Sequence, residues 1–194
     1  MGSALHKALA VHGDWLKRAR AILVHAKPPT ESPDESCFVL CHHVVALYQA
    51  AAVAAHSDLP GAMYALLRPA VEAFLRAVWV RGEPENDQVF RFEPKRIPGI
   101  SRMFSDVGGK TLGGAGLLKA LEKHCEELHG FTHGGSEVLA IYPEGSVAAA
   151  DDSVVAVLND MRRLAAAAMD LIGQLGLPES ERAELRAILV GVSA

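Results

Sequence analysis

The chain lacks the uninterrupted apolar run of about 18 residues that a membrane-spanning helix requires. Lys7, Asp14 and Lys17 punctuate the N-terminal stretch before any long apolar segment, which argues against a signal peptide. Met1-Gly2-Ser3 opens like an acylation signal, but His6 stands where serine or threonine is required. A basic surplus is missing too: 19 Lys and Arg against 23 Asp and Glu leave a net charge of -4, so nucleic acid is not an expected partner. Cysteine is scarce and odd in number, at Cys37, Cys41 and Cys125, which gives no basis for a disulfide framework. Cys37 and Cys41 have ligand-like spacing, yet no second cysteine pair completes a zinc site, so free buried thiols are expected. No internal repeat is evident. Together these absences describe a soluble, cytoplasmic protein with no cofactor and no metal expected.

What is present is an ordered, helix-forming composition. The 194 residues are 50% hydrophobic and 22% charged, enough for one domain over 1–194 with a substantial core. Leu5, Leu9, His12, Leu16, Ala19 and Leu23 follow a helical period, so a first helix is expected from Leu5 to Ala26. A proline-rich break at residues 28–33 precedes a second helix from Glu35 to His56, apolar on most sides and suited to the centre of a bundle. The third runs from Pro60 to Val80 or Arg81, with Pro69 expected to kink it or loosen the preceding turn.

Residues 82–116 read as a long irregular connection, with room for a short strand at Gln88–Phe92 and a short helix at Ile100–Asp106. Leu117, Leu121, Cys125 and Leu128 mark a fourth helix. A fifth, capped by Asp152 or Ser153, carries the seam Val154, Leu158, Met161, Ala165, Ala168, Ile172 and Leu175. Pro178 opens a short C-terminal helix over 178–190. The fold class is therefore all-α, an up-and-down bundle of four long helices with short ones, and a homodimer through an apolar helical face is expected.

Arg68, Glu72 and Arg76 fall at i, i+4 and i+8 and share one helical face. They form either a solvated stripe worth a few tenths of a kcal/mol per pair, or an internal network whose arginine forks face a carboxylate or phosphate. Phe131-Thr132-His133-Gly134-Gly135-Ser136 is the second candidate: either a tight turn between helices or a place where backbone approaches a ligand. The expected ligand-binding set is Arg68, Glu72, Arg76 and His133, with His43, His129 and Trp79 secondary. At least one of His42 and His43 is expected to face the core. The Arg20 to His25 spacing imitates a helical ribonuclease pair, and Gly109-Lys110-Thr111 imitates the end of a phosphate loop without its earlier glycine.

The segment Arg68-Pro69-Ala70-Val71-Glu72-Ala73-Phe74-Leu75-Arg76-Ala77-Val78-Trp79, followed by Phe131-Thr132-His133-Gly134-Gly135, resembles a group of uncharacterised bacterial all-helical proteins. More remotely it is similar to the HEPN superfamily, whose bundles often dimerise and sometimes cut RNA. The resemblance implies that Arg68, Glu72, Arg76 and His133 matter, without supplying an activity. Three readings stay open: binding of a small anionic ligand or a protein partner, phosphodiester hydrolysis with His133 moving the proton, and a purely structural network.

Overall fold

A computed structural model describes residues 3–107, 121–122 and 151–190. Seven α-helices organise the described chain: α1 (Ser3–Leu23), α2 (Asp34–His56), α3 (Pro60–Gly82), α4 (Pro84–Phe92), α5 (Ile100–Val107), α6 (Asp151–Gly176) and α7 (Glu179–Val190), with a 3-10 turn at Pro94–Arg96. No strand occurs among the described residues. The all-α reading holds.

Short connections force antiparallel neighbours. Between α2 and α3 the chain reverses over three residues: Asp58 takes a left-handed φ of 59°, which a short polar side chain tolerates, and the Leu59 amide bonds the Ala54 carbonyl at 2.9 Å. Pro60 then starts α3 where a missing amide costs nothing, and the helix continues through Pro69 to Gly82. Arg81 at its far end bonds Asp34 at the start of α2, so the hairpin is pinned at both ends. On the other side of α2, Gly176 at the end of α6 lies beside Phe38, and the Lys27 amide bonds the Gly176 carbonyl at 2.9 Å.

The core follows the helical period. On α2 it takes Cys37, Cys41, Val44, Tyr48, Ala51 and Ala55, and on α6 the expected seam from Val154 to Ile172, joined by Leu164, Met169 and Leu171. Leu175 is only partly buried. By length and composition α2 is also long and apolar enough to cross a membrane, contrary to the expectation from uninterrupted runs, because histidines and alanines do not break its mean hydropathy. Its inward residues pack within the core, while Val39 and Val53 on the outer side are each 59% exposed.

Two expectations are corrected. Gln88–Phe92 lies in α4 rather than in a strand, and most of 84–107 is helical; residues 108–116 lie outside the described set. Pro84, Glu85 and Asp87 suit the first turn of a helix, and the Asn86 carboxamide donates back to the Trp79 carbonyl at 2.8 Å, tying α4 to α3. Asp87 is buried and accepts from Arg91 Nε one turn on, and Arg91 reaches across to Glu35 on α2 at 2.9 Å. Replacing Asp87 with Asn should cost about 1–2 kcal/mol, because it weakens a buried charge-assisted bond and strands part of the arginine fork. Hydrogen-exchange protection of residues 84–92 should fall with it; unchanged protection would show that α4 docks without the pair.

Candidate functional site

On α3 the three charges meet. Arg68 Nε donates to Glu72 Oε1 at 2.9 Å and Arg76 Nη2 donates to Glu72 Oε2 at 3.2 Å, so one carboxylate is held from both sides. The side chains are 19%, 24% and 37% exposed from Arg68 to Arg76, which makes this a half-buried network at the rim of the core rather than a solvated stripe. Arg76 Nε is fully buried and finds no acceptor among the described residues. Since a guanidinium presents five donors in a fixed fork, Arg76 retains donor capacity after Glu72 has taken its share.

Trp79, one turn further on, sits apart from this triad's bonds. It is buried and lines an open cleft of about 260 Å³ with Val78, Glu83, Asn86, Asp106 and Val107. Of the remaining expected positions, His129 and His133 lie outside the described residues, as do Cys125 and the Gly109-Lys110-Thr111 segment. The hydrolytic reading places its proton carrier at His133 and so finds no described geometry. His42 and His43 are both exposed, correcting the expectation that one faces the core: the apolar face of α2 runs through Cys41, Val44 and Val45, and the histidines fall between its turns. His42 packs at a tilt against the Phe38 ring with centroids 4.7 Å apart, and partial burial there lowers its pKa.

Arg20 and His25 are held by different helices: Arg20 donates to Gln49 on α2 at 2.8 Å, and His25 pairs with Glu181 on α7 at 3.1 Å. Their spacing is a coincidence of sequence. Cys37 and Cys41 are free and buried. The Cys41 thiol donates toward Cys37, which lowers the Cys37 pKa and raises that of Cys41, and burial adds to the rise. Among the described residues no group of three or more His, Cys, Asp and Glu side chains could hold a metal ion.

A second polar cluster was not singled out from the sequence. His12 on α1 is 2% exposed; its Nδ1 lies 2.8 Å from the Tyr48 hydroxyl of α2, and its Nε2 lies 3.3 Å from Asn159 Oδ1 of α6. The proton assignment follows from valence. Asn159 Oδ1 can only accept, so Nε2 carries the hydrogen, and Nδ1 accepts from the Tyr48 O–H. Burial pushes the His12 pKa down to about 4, the charge of Arg162 pushes the same way, and the Asn159 bond opposes both. Burial raises the Tyr48 phenol. Trp15 meets Tyr48 edge-on at 5.7 Å. The available signal was a polar residue in an apolar slot of the α1 period, where His12 stands between Leu9 and Leu16.

A family model described as a family of unknown function (DUF6988) matches residues 41–188, which include the α3 triad, Tyr48, Asn159 and Arg162. No curated protein and no solved structure matches the chain.

Proposed function

We propose, from the premise that this chain belongs to the DUF6988 family of unknown function, that it is a helical binding module for a small anionic ligand held at Arg68, Glu72 and Arg76. The observation that supports it is Arg76: Glu72 fixes its Nη2, its Nε is buried without an acceptor among the described residues, and its outer part is open to solvent. A fork held in place at one nitrogen and open at others is arranged to receive an oxyanion, because little side-chain freedom remains to be lost on binding.

The test is a titration with inorganic phosphate at constant ionic strength, followed by the thermal midpoint. Phosphate should raise the midpoint of the native protein saturably, and Arg76→Gln should weaken the apparent affinity by about tenfold or more, as expected for loss of a charge-assisted bond. A midpoint indifferent to phosphate, or equal affinity in Arg76→Gln, would overturn the reading.

One observation favours a structural role instead: both oxygens of Glu72 are already held within the helix. Glu72→Gln separates the two. As a ligand site the triad should lose phosphate binding with a stability change below about 1 kcal/mol, whereas a structural network should lose stability alone.

A further inference from the structure

The C-terminal ends of α3 and α5 and the first turn of α4 meet around the open cleft of about 260 Å³ that Trp79 lines. Its lining divides by chemistry. Val78, Trp79 and Val107 are buried core residues and make an apolar wall, while Glu83, Asn86 and Asp106 supply the polar part. Small-molecule sites have this makeup: a wall for the body of the ligand and a few convergent polar groups that fix its orientation.

Each of the three polar residues offers an acceptor. The Trp79 carbonyl can only accept, so Nδ2 is the Asn86 atom that faces it at 2.8 Å, and Oδ1 is the part of the carboxamide left to accept. Glu83 stands between α3 and α4, and its carboxylate makes no capping bond to α4. Asp106 lies in the last turn of α5, a turn with no basic residue, where the helix dipole disfavours a carboxylate and favours a cation. Its partner Arg102 is 3.9 Å away and 78% exposed, a contact worth little in water.

We propose that this cleft is a binding site for a small primary amine in its ammonium form, separate from the α3 triad. A primary alkylamine is protonated at pH 7 and carries three N–H donors, which match the two carboxylates and the Asn86 oxygen. Its hydrocarbon stem matches Val78, Trp79 and Val107. A hard metal ion calls for a set of six or more oxygens and gains nothing from valine or indole, and a quaternary ammonium brings no donor to the three acceptors. The volume, below that of drug-sized pockets, suits a ligand of a few carbons.

The experiment titrates the full chain with n-butylammonium chloride, with tetramethylammonium chloride and sodium chloride as comparisons at matched ionic strength. It follows the Trp79 indole N–H resonance by NMR, with Trp15, packed against Tyr48, as internal reference. Butylammonium should shift the Trp79 signal saturably and leave Trp15 in place. Tetramethylammonium, of equal charge and without donors, should bind at least about threefold more weakly, and sodium should leave the signal unmoved. The double variant Glu83→Gln/Asp106→Asn should weaken butylammonium by about tenfold or more. Both side chains are exposed, so these amide isosteres preserve the fold, and the comparison among cations needs no variant. A Trp79 signal indifferent to butylammonium, the result if the chain's own lysines already neutralise the cleft, would overturn the proposal. Equal affinity for tetramethylammonium, or an unaltered affinity in the double variant, would overturn it as well.

Discussion

Lowering the pH from 6.5 to 4 is expected to cost the fold about 3 kcal/mol through His12 alone. Unfolded, the imidazole takes a proton near 6.5; folded, it resists until about 4, because burial and the Arg162 charge both disfavour a second cation. Above 6.5 neither state binds that proton and His12 contributes no pH dependence. Below 6.5 the unfolded chain binds it first, so stability falls as pH falls and the loss levels off near 4. Carboxylates add their own acid sensitivity, which cancels in a comparison of the native protein with His12→Gln. Urea unfolding at pH 7, 6, 5 and 4.5 should give a steep decline for the native chain and a flatter one for the variant, whose starting stability is lower by about 1–3 kcal/mol through the unpaired Tyr48 hydroxyl. Parallel curves would mean that His12 is not held neutral.

The second large effect is steric and sits at Gly176. A methyl group there would lie 2.7 Å from the Lys27 carbonyl oxygen, 3.1 Å from the Lys27 nitrogen and 2.9 Å from the Phe38 ring. Two of these neighbours are backbone, and that backbone is itself bonded to the Gly176 carbonyl. Gly176→Ala should therefore destabilise the protein by about 2–3 kcal/mol, a fall in thermal midpoint of roughly 5–10 °C for a chain of this size. Gly173→Ala is the control. Its methyl would meet Leu185 Cδ2 at 2.9 Å, the movable end of a side chain, and the helix gains up to about 1 kcal/mol from alanine, so the net change should stay within about 0.5 kcal/mol. Equal effects at the two positions would show that the close approach of Lys27 to α6 does not constrain the fold.

Much of the architecture was legible because apolar spacing reports burial directly. The α6 seam from Val154 to Ile172 and the α1 series from Leu5 to Leu23 lie where their periods place them, with Leu9 and Leu16 at the edge of the core. The Arg68, Glu72 and Arg76 row was legible for the same reason, since partners one turn apart are local. α4 was misread because Val89-Phe90-Arg91-Phe92 alternates like a strand, while the features that decide it, Asn86 on Trp79 and Arg91 on Glu35, depend on other helices. The His12 cluster was hidden by distance along the chain: its partners stand 36 and 147 residues away.

That cluster also bears on which arrangement of helices the chain selects. Alanine-rich surfaces such as residues 165–168 fit together almost equally well when one helix slides along another, so packing alone discriminates poorly between registers. A slip of α1 by one turn would present Ala8 or Leu16 to the Tyr48 hydroxyl and leave it and the Asn159 oxygen without partners. The hydrogen of Tyr48 and the hydrogen on Nε2 thus act as a two-pin key: they add little to the average attraction between helices and make one alignment of α1, α2 and α6 the satisfied one.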